Sequence, residues 1–164
     1  MKYCSICGDK NTFSFIEGNN RYHCEKCSTI HYQNPKPTAT IICLKNNKIL
    51  LAKRAFEPAI GEWGLPGGFM ELRETLEEAA RRELKEETNL HGEVVKMLGT
   101  CSHYGTIFGD ILSIAVEMKV SDFSKIKAGD DAQELKFFEF DNLPRIPFHC
   151  HNKFIQEYLS KKIK

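Results

Sequence analysis

Residues 68–90 read GFMELRETLEEAARRELKEETNL, and this stretch decides the fold. Thr75 is followed three residues later by Glu78, which is the pattern of a capping box, so the spacing predicts a helix that begins after Thr75. Asn89 suits the left-handed conformation that ends a helix, because its short polar side chain tolerates positive φ better than most residues do. The sequence therefore predicts a short acidic helix between these two caps.

Two carboxylates of this helix lie on its apolar face. At about 100° per residue, Glu83 and Glu87 fall on the side that also holds the apolar residues Leu76, Ala79 and Ala80. The opposite arc carries the charges that a solvated surface needs: Glu77, Glu78, Arg81, Arg82 and Lys85. Like charges four residues apart repel, and more strongly when partly desolvated. We therefore expect a cation between the inward acids, since Mg²⁺ and Mn²⁺ prefer carboxylate oxygens.

A glycine loop precedes the helix. Residues 63–69 read WGLPGGF, and the paired Gly67 and Gly68 permit a tight turn and a close approach of backbone to a ligand or ion. Taken alone, the helix has an equally good alternative, a charged surface held by pairs at four-residue spacing such as Glu78 with Arg82. A glycine loop that leads into an acidic helix favours a site for a metal ion and a diphosphate.

The same residues resemble a known family motif. Gly68, Glu74 and the run RELKEETNL at residues 82–90 resemble the Nudix box at every fixed position but one. The exception is Asn89, where the family has glycine, and asparagine is well able to adopt the same left-handed conformation. Nudix enzymes hydrolyse a nucleoside diphosphate linked to another moiety, and their bound Mg²⁺ or Mn²⁺ ions neutralise the diphosphate and activate water. The resemblance therefore implies a metal-dependent pyrophosphatase.

The resemblance also implies roles for individual residues. It makes three acids and one backbone carbonyl the ligands of the catalytic metal: Glu83, Glu86, Glu87 and Gly68. Arg82 and Glu74 would hold these acids in place. Glu71 is a further candidate ligand, with an ordinary loop carboxylate as the equal alternative.

A second acid outside the helix often completes such a site. The candidates are Asp130, Asp131 and Glu134, in the polar stretch before an apolar run, and we favour Glu134. A solvated loop is the alternative, and for the two aspartates we prefer it. The general base stays open, because that role depends on reach to the attacking water and then on pKa. The candidate catalytic residues are thus Glu83, Glu86, Glu87, Arg82 and Glu134.

Four cysteines near the start of the chain have the spacing of a zinc site. Cys4 and Cys7 form one C-x-x-C pair, Cys24 and Cys27 form another, and 16 residues separate the pairs. This spacing predicts a zinc ribbon, and disulfides are the alternative, which an intracellular setting disfavours. Four thiolates leave no open position on the metal, so we expect a structural zinc whose binding compensates for the small core of so short a segment.

Composition indicates one medium catalytic domain with a small appendage. The chain has 164 residues, of which 41% are apolar, and we place the ribbon at residues 1–34 and the hydrolase domain at residues 35–164. Its 23 basic and 22 acidic residues argue against nucleic-acid binding, which relies on a basic surface. No apolar run is long enough to span a bilayer, and metal ligands stand where a secretory signal would lie. We therefore expect a cytoplasmic protein with no membrane partner.

Three further cysteines lie in or beside apolar stretches. We interpret Cys43, Cys101 and Cys150 as packed thiols and not as nucleophiles. The run His149-Cys150-His151 suggests another metal site, but no other ligands stand at suitable spacing, so we interpret it as a loop. A last helix with one apolar side is predicted after it, at residues 152–161.

The strands surround the acidic helix along the chain. Alternating and apolar runs predict strands at residues 38–44, 48–52, 93–101, 107–120 and 135–140, with the first two paired around Asn46-Asn47. Mixed strands flanked by helices indicate layers of helix on both faces of a sheet. We therefore predict a Nudix-type α/β/α sandwich with a mixed sheet, preceded by the small ribbon.

Features outside the box resemble zinc-ribbon Nudix enzymes that cleave FAD or ADP-ribose. They are the ribbon, YQNP at residues 32–35, residues 54–68 with Glu57, Pro58 and Trp63, and the tail pairs Leu143-Pro144 and Pro147-Phe148. We therefore expect release of AMP from FAD or ADP-ribose. Ribbon-bearing NADH diphosphatases carry SQPWPFP downstream of the box, and residues 99–108 have nothing like it, so NADH is less favoured.

Substrate contacts are the least constrained part of the prediction. The candidates are Arg54, Lys53, Glu57 and Tyr104. The two cations can reach phosphates or form a solvated strand end. Tyr104 stands roughly where ADP-ribose enzymes often have a proline, and it is weakly reminiscent of dinucleoside polyphosphate hydrolases. Its ring can stack on adenine or flavin or fill the core, and the core is the commoner place for a tyrosine ring.

Two rival functions follow from the same residues. One is hydrolysis of a nucleoside triphosphate or a dinucleoside polyphosphate. The other is a nucleotide-sensing module whose ribbon contacts protein or nucleic acid, although a pure sensor has no need of mutually repelling acids such as Glu83 and Glu87. Family habit suggests a homodimer.

Overall fold

The computed structural model describes residues 1–129 and 131–162. The chain divides into two compact units, of which the first is Met1–Pro35 and the second begins at Lys36. Among the described residues, no helix is both long and apolar enough to cross a membrane.

The first unit is a three-stranded antiparallel sheet beside a cluster of four cysteines. Its strands are β1 (Thr12–Ile16), β2 (Asn19–His23) and β3 (Ile30–His31), in that spatial order. The four sulfurs of Cys4, Cys7, Cys24 and Cys27 lie within 4.8 Å of one another. The shortest pairs, Cys7 with Cys24 at 3.4 Å and Cys4 with Cys27 at 3.6 Å, are much longer than the ~2.05 Å of a disulfide. The cluster fits the predicted zinc ribbon.

The second unit is built on a mixed seven-stranded sheet. Its strands are β4 (Lys36–Lys45), β5 (Lys48–Arg54), β6 (Trp63–Gly64), β7 (Gly67–Phe69), β8 (Glu93–Thr106), β9 (Gly109–Lys119) and β10 (Ala132–Phe138). The main path has the order β10-β5-β4-β9-β8, in which β4 and β9 are parallel and the other neighbours are antiparallel. Two short strands attach to this path, β6 to β5 and β7 to β4.

In the described part of the second unit, two helices cover the sheet, each with its own core. Helix α1 (Leu76–Thr88) packs Ala79, Ala80 and Leu84 into one cluster, and helix α2 (His149–Lys162) packs Phe154 and Ile155 into another. A single 3₁₀ turn, Phe140–Asn142, follows β10. Neighbouring residues of a strand point to opposite faces, so Ile41 joins the α1 cluster and Ile42 the α2 cluster. The predicted α/β/α sandwich is confirmed.

The ends of α1 are those that the sequence predicts. The Thr75 hydroxyl accepts a hydrogen bond from the Glu78 N–H, and the Glu78 carboxylate accepts one from the Thr75 N–H, so the capping box is complete. Asn89 has φ 56° and ψ 20° and ends the helix in the left-handed conformation. The helix is thereby held at both ends, which fixes where its acidic residues lie.

The predicted strands exist, but three chain segments differ from the prediction. Strand β10 covers Ala132–Phe138 and not residues 135–140, because its pairing with β5 already begins at Ala132 and a 3₁₀ turn begins at Phe140. Strand β8 continues to Thr106, beyond the expected end at residue 101, because its long antiparallel pairing with β9 sustains it. The last helix begins at His149, so the interpretation of His149-Cys150-His151 as a loop is wrong. These residues form its first turn, because Cys150 packs into the α2 cluster.

Candidate active site

The inward acids of α1 are buried, as the helical pattern predicts. Glu83 and Glu87 are only 9% and 8% exposed, on a helix face that otherwise carries alanine and leucine. The Glu86 side chain is 43% exposed and lies at the edge of the same face. Burial of two carboxylates on one face is costly unless each has a partner. The surroundings of these acids therefore decide what the site can do.

The glycine loop lies directly against the buried acids. A Cβ on Gly68 would stand 2.5 Å from Glu83 Oε1, and a Cβ on Gly67, whose φ is +139°, would stand 2.1 Å from the Ala39 carbonyl oxygen. The Gly67 N–H donates a hydrogen bond to Glu87 Oε2 at 3.3 Å. Gly67 is required by its positive φ and its close approach to backbone, whereas a side chain at Gly68 would displace the Glu83 carboxylate. The backbone of the two glycines forms one wall of the site.

Arg82 connects the acids to one another. Its Nε and Nη2 donate to the two oxygens of Glu74 at 2.8 and 3.0 Å. Its Nη1 donates to Glu83 Oε1 at 2.7 Å and to Glu86 Oε2 at 2.9 Å. Nη2 also donates to the Phe69 carbonyl oxygen at 2.9 Å. One guanidinium thus holds three carboxylates and the loop in a fixed arrangement, as a planar five-donor group can.

The single positive charge of Arg82 does not balance the negative charges of the glutamates around it. Burial raises the pKa of Glu83, and burial together with the charge of Glu83 raises the pKa of Glu87 to about 8. The Gly67 N–H and the more distant charge of Arg54 oppose the shift at Glu87 without cancelling it. Desolvated carboxylate oxygens that lack a full positive partner are the donors a hard divalent cation prefers. The residues present therefore fit the divalent metal that the sequence predicts.

We expect Glu87→Gln to stabilise the metal-free protein. The folded protein keeps this proton up to about pH 8, whereas the ordinary pKa is 4.5, so the folded state binds more protons between these values. Stability therefore falls as pH rises through that window, and the amide removes the loss. In EDTA near pH 8.5, we expect the variant to melt at least ~5 °C above the parent chain by scanning calorimetry.

The difference in melting temperature should shrink toward pH 5, where folded Glu87 is protonated and, like the glutamine of the variant, neutral. It should also shrink in saturating Mn²⁺, because the parent carboxylate can bind the ion. Glu77→Gln, on the solvated side of the same helix, is the matched control and should show no such pH dependence. Equal melting temperatures at both pH values would contradict this account of Glu87.

The candidate phosphate-binding cations occupy different surroundings. Arg54 Nε donates to the Pro58 carbonyl oxygen at 2.8 Å, and its guanidinium lies 5.5 Å from the Phe148 ring centre. Its charge reaches Glu87. Lys53 lies over the Trp63 ring at 5.9 Å and pairs with a carboxylate of β10 at 3.8 Å. Arg54 therefore belongs to the surroundings of the buried acids.

The other candidate substrate contacts lie in turns and at a strand end. Glu57 Oε2 accepts a hydrogen bond from the Ala59 N–H at 3.0 Å, which orders the turn that also holds Arg54. Tyr104 is 72% exposed on β8, so the alternative that it fills the core is wrong.

Glu71, the further candidate metal ligand, lies in the loop before α1. The Glu71 N–H donates to the Glu74 carboxylate at 2.9 Å, and Glu71 itself is exposed.

The candidates for the second acid lie in different surroundings. Glu134 lies in β10, next to Leu135, which packs toward α1, so its own side chain points to the opposite face and meets Lys53. The charge of Asp131, in contrast, raises the pKa of both Glu83 and Glu87. The Asp131 carbonyl oxygen accepts a hydrogen bond from the Ala55 N–H at 2.8 Å, just after β5. Asp130 lies outside the described residues.

A histidine that sequence reasoning did not assign positions the loop. His151 Nδ1 accepts a hydrogen bond from the Leu65 N–H at 3.0 Å, two residues before the paired glycines. Desolvation of the imidazole lowers the pKa of His151 to about 3, so the ring is neutral and accepts. A Cβ on Gly64 would stand 3.1 Å from the same nitrogen. Helix α2 is thus tied to the glycine loop, a contact across 86 residues that no local pattern reveals.

Two family models match the chain and together identify its family. The model of the NUDIX domain matches residues 34–158, and the model of the Nudix N-terminal zinc ribbon matches residues 2–33. The chain belongs to the Nudix family. It is a Nudix hydrolase, and its relatives support an enzyme that hydrolyses a diphosphate bond in a nucleotide substrate.

Curated relatives carry two different names. An ADP-ribose pyrophosphatase of Methanocaldococcus jannaschii is 43% identical over 132 residues, which is 80% of this chain and 77% of that protein. An NAD-capped RNA hydrolase of Vibrio parahaemolyticus is 32% identical over 61% of this chain and 37% of that protein, and one of Vibrio vulnificus is 29% identical over 89% and 54%. The chain spans roughly half or less of these two longer relatives.

A solved structure supports both units of this Nudix hydrolase. A Nudix hydrolase from Nitrosomonas europaea has a TM-score of 0.87 at 35% identity and covers 99% of this chain and 93% of its own. A MutT Nudix hydrolase from Burkholderia pseudomallei has a TM-score of 0.65 at 26% identity, over 76% of this chain and 98% of its own. The fold and the family predicted from residues 68–90 are confirmed.

Proposed function

We propose that this Nudix hydrolase cleaves the diphosphate bond of ADP-ribose or FAD in a reaction that depends on Mg²⁺ or Mn²⁺ and releases AMP. One observation carries the proposal: Glu83 and Glu87 lie against the Gly67-Gly68 backbone, and the guanidinium of Arg82 joins Glu83 to Glu86. Such a site has fewer positive than negative charges and offers hard oxygen donors. It therefore suits divalent ions that in turn bind a diphosphate.

ADP-ribose is the preferred substrate in this proposal. The relative at 43% identity carries that activity in its name, and it covers more than three quarters of both chains. FAD rests on the resemblance of the ribbon and the flanking segments alone. Both substrates join AMP to a second phosphate-bearing group, so attack of one water on a phosphorus atom gives AMP and a second monophosphate in either case.

The protein side chains have separable roles in this reaction. Glu83, Glu86, Glu87 and the Gly68 carbonyl would hold the divalent ions, which when bound would neutralise the diphosphate and activate the attacking water. Arg82 fixes the geometry of two of these carboxylates through its Nη1. Glu83 and Glu87 are buried against this half-buried loop, and the low exposure to water strengthens electrostatic interactions at that wall.

For the second acid we now propose Asp131 in preference to Glu134, because its charge reaches Glu83 and Glu87. Arg54, held by the Pro58 carbonyl, is our candidate for a phosphate contact. Lys53, Glu57 and Tyr104 stay candidates for contacts to the rest of the substrate.

NAD-capped RNA is a second candidate substrate. Relatives of that name align over up to 99% of this chain, although they share only 21% identity at that coverage. The near balance of 23 basic and 22 acidic residues does not favour a long RNA contact. Hydrolysis of a triphosphate or a dinucleoside polyphosphate, and nucleotide sensing without turnover, complete the set of alternatives.

A product panel tests the proposed substrate. We expect chromatography to show AMP from ADP-ribose at the highest kcat/KM among ADP-ribose, FAD, NADH, NAD-capped RNA, dinucleoside polyphosphates and deoxynucleoside triphosphates in Mg²⁺ or Mn²⁺. Release of pyrophosphate from a triphosphate as the fastest reaction would overturn the substrate assignment. Binding of ADP-ribose without any turnover would overturn the enzymatic proposal in favour of a sensor.

Zn²⁺ in the ribbon, a homodimeric assembly and a cytoplasmic location complete the proposal. Hydrogen bonds from Thr29 lower the pKa of Cys27 to about 6, which suits a thiolate ligand, and we propose Zn²⁺ for the ribbon. We also propose a cytoplasmic homodimer, with light scattering as the test of its mass.

A further inference from the structure

Two cysteines and a histidine from distant parts of the chain meet at the start of α2. Cys101 on β8 and the first two residues of α2, His149 and Cys150, place their ligand atoms within 4.8 Å of one another. His149 Nε2 lies 3.4 Å from Cys101 Sγ, and His149 Nδ1 lies 3.7 Å from Cys150 Sγ. We call these three residues the cysteine-histidine cluster. It lies in the second unit and shares no residue with the four-cysteine ribbon.

A fourth donor lies beside this cluster. His103 is two residues after Cys101 on β8, so the two side chains project from the same face of the strand. The ring of His103 meets that of His149 edge-on, with centroids 5.8 Å apart. Both histidines are exposed and have room to turn, whereas both cysteines are buried. The set therefore has two fixed sulfurs on the inside and two adjustable imidazoles on the outside.

The donor chemistry selects the metal. Two thiolates and two imidazoles in a tetrahedral arrangement are typical of Zn²⁺, with bonds of ~2.3 Å to sulfur and ~2.0 Å to nitrogen. Those bond lengths place a sulfur and a nitrogen on one ion ~3.5 Å apart. One imidazole gives one nitrogen to one ion, so the pair to compare is His149 Nε2 with Cys101 Sγ, whose 3.4 Å is close to this value. The ligand atom of Cys150 lies within 4.8 Å of the ligand atoms of the other two residues.

We propose that the cysteine-histidine cluster, completed by His103, binds one zinc ion that fastens the start of α2 to β8. Four protein ligands leave no open position, so the site is structural and not catalytic. Lys153 Nζ already donates to the Thr100 carbonyl oxygen at 3.0 Å, so α2 lies along β8 at this point. The fastened turn also carries His151, which accepts the Leu65 N–H of the glycine loop.

Metal content tests the proposal without reference to catalysis. Protein produced with zinc, then purified in excess Mg²⁺ to keep zinc from the glutamates, should release two zinc ions per chain when denatured with a colorimetric chelator. The double variant His103→Ala/His149→Ala should release one. Both substitutions are at exposed positions, so folding should survive, and circular dichroism checks it. His91→Ala, another exposed histidine outside the cluster, is the matched control and should release two.

Cobalt replacement identifies the ligands. With Co²⁺ in both zinc sites, the thiolate-to-metal charge-transfer absorbance should fall by about a third in the double variant, since two of six thiolate bonds are lost. Cys150→Ser should give the same loss. Equal zinc release from the parent chain and the double variant, or an unchanged cobalt spectrum, would overturn the proposal and leave the cluster as packed thiols beside two imidazoles in edge-on contact.

Discussion

Glu86→Gln is expected to lower kcat for ADP-ribose hydrolysis by about 10³-fold, with AMP release in Mg²⁺ as the measurement. Glu86 is the most exposed of the three helix acids, with a side chain 43% accessible, and its carboxylate already meets the Arg82 guanidinium at 2.9 Å. The amide keeps the shape of the side chain but removes the charge that would hold a divalent ion. Folding should survive, so the loss should report the reaction and not stability.

Two controls separate this outcome from other causes. Glu77→Gln changes an exposed acid in the first turn of the same helix and should leave kcat within about two-fold of the parent value. Excess EDTA should abolish turnover by the parent chain. Full activity of Glu86→Gln, or parent activity that survives in EDTA, would refute the assignment of the metal to these acids.

Arg82→Lys is expected to lower kcat/KM by 10- to 100-fold, roughly the effect of removing a group that orients metal ligands. The Arg82 guanidinium makes paired bonds to Glu74 and also reaches Glu83 and Glu86, and one ammonium cannot replace this planar fork. Arg82 is therefore a positioning residue. Its loss should also weaken the apparent affinity for Mn²⁺ in titrations followed by electron paramagnetic resonance.

The neighbouring arginine provides a matched control. Arg81 donates twice to Glu93 at 2.8 and 3.1 Å, but this pair lies on the exposed side of α1. Arg81→Lys should change neither kcat/KM nor Mn²⁺ affinity by more than about two-fold. If Arg82→Lys lost stability but kept the parent affinity for Mn²⁺, the guanidinium would be a structural support only.

The local part of this site could be predicted from the sequence because it is contained in one helix. Helical periodicity alone places Glu83 and Glu87 on the buried face, and the structure leaves them 9% and 8% exposed. Each capping residue likewise bonds to a partner no more than four positions away along the chain. Thr75 and Asn89 could therefore be placed without knowledge of the sheet. Both kinds of inference depend on backbone geometry that is fixed over short distances.

The long-range part depended on sheet order, which no local pattern supplies. The sequence favours Glu134 as the second acid, but Glu134 pairs with Lys53, whereas the charge of Asp131, just before β10, raises the pKa of Glu87. His149 and Cys150 meet Cys101 because α2 runs along β8, which brings together residues 48 positions apart. A histidine two residues after Cys101 was the available signal, and it gains meaning only once β8 is known to continue past residue 101.

The crowding of acids on α1 lowers the stability of the metal-free protein, and folding alone gives no reason to keep it. An apolar or neutral side chain at Glu87 would avoid the desolvation that raises its pKa to about 8. The protein keeps a carboxylate there, next to Glu83 and against the backbone of Gly67, where a side chain would collide with the Ala39 carbonyl. A bound cation removes that cost, which is why we connect the arrangement to metal binding.

The central claim is that Glu83, Glu86 and Glu87 hold divalent ions beside the Gly68 carbonyl. Its most direct test is an anomalous difference map from crystals of the protein soaked in Mn²⁺. We expect a peak bound by oxygens of these three glutamates at ~2.2 Å. Glutamates spread apart around empty density at saturating Mn²⁺ would contradict the claim and, with it, the proposed metal-dependent hydrolysis.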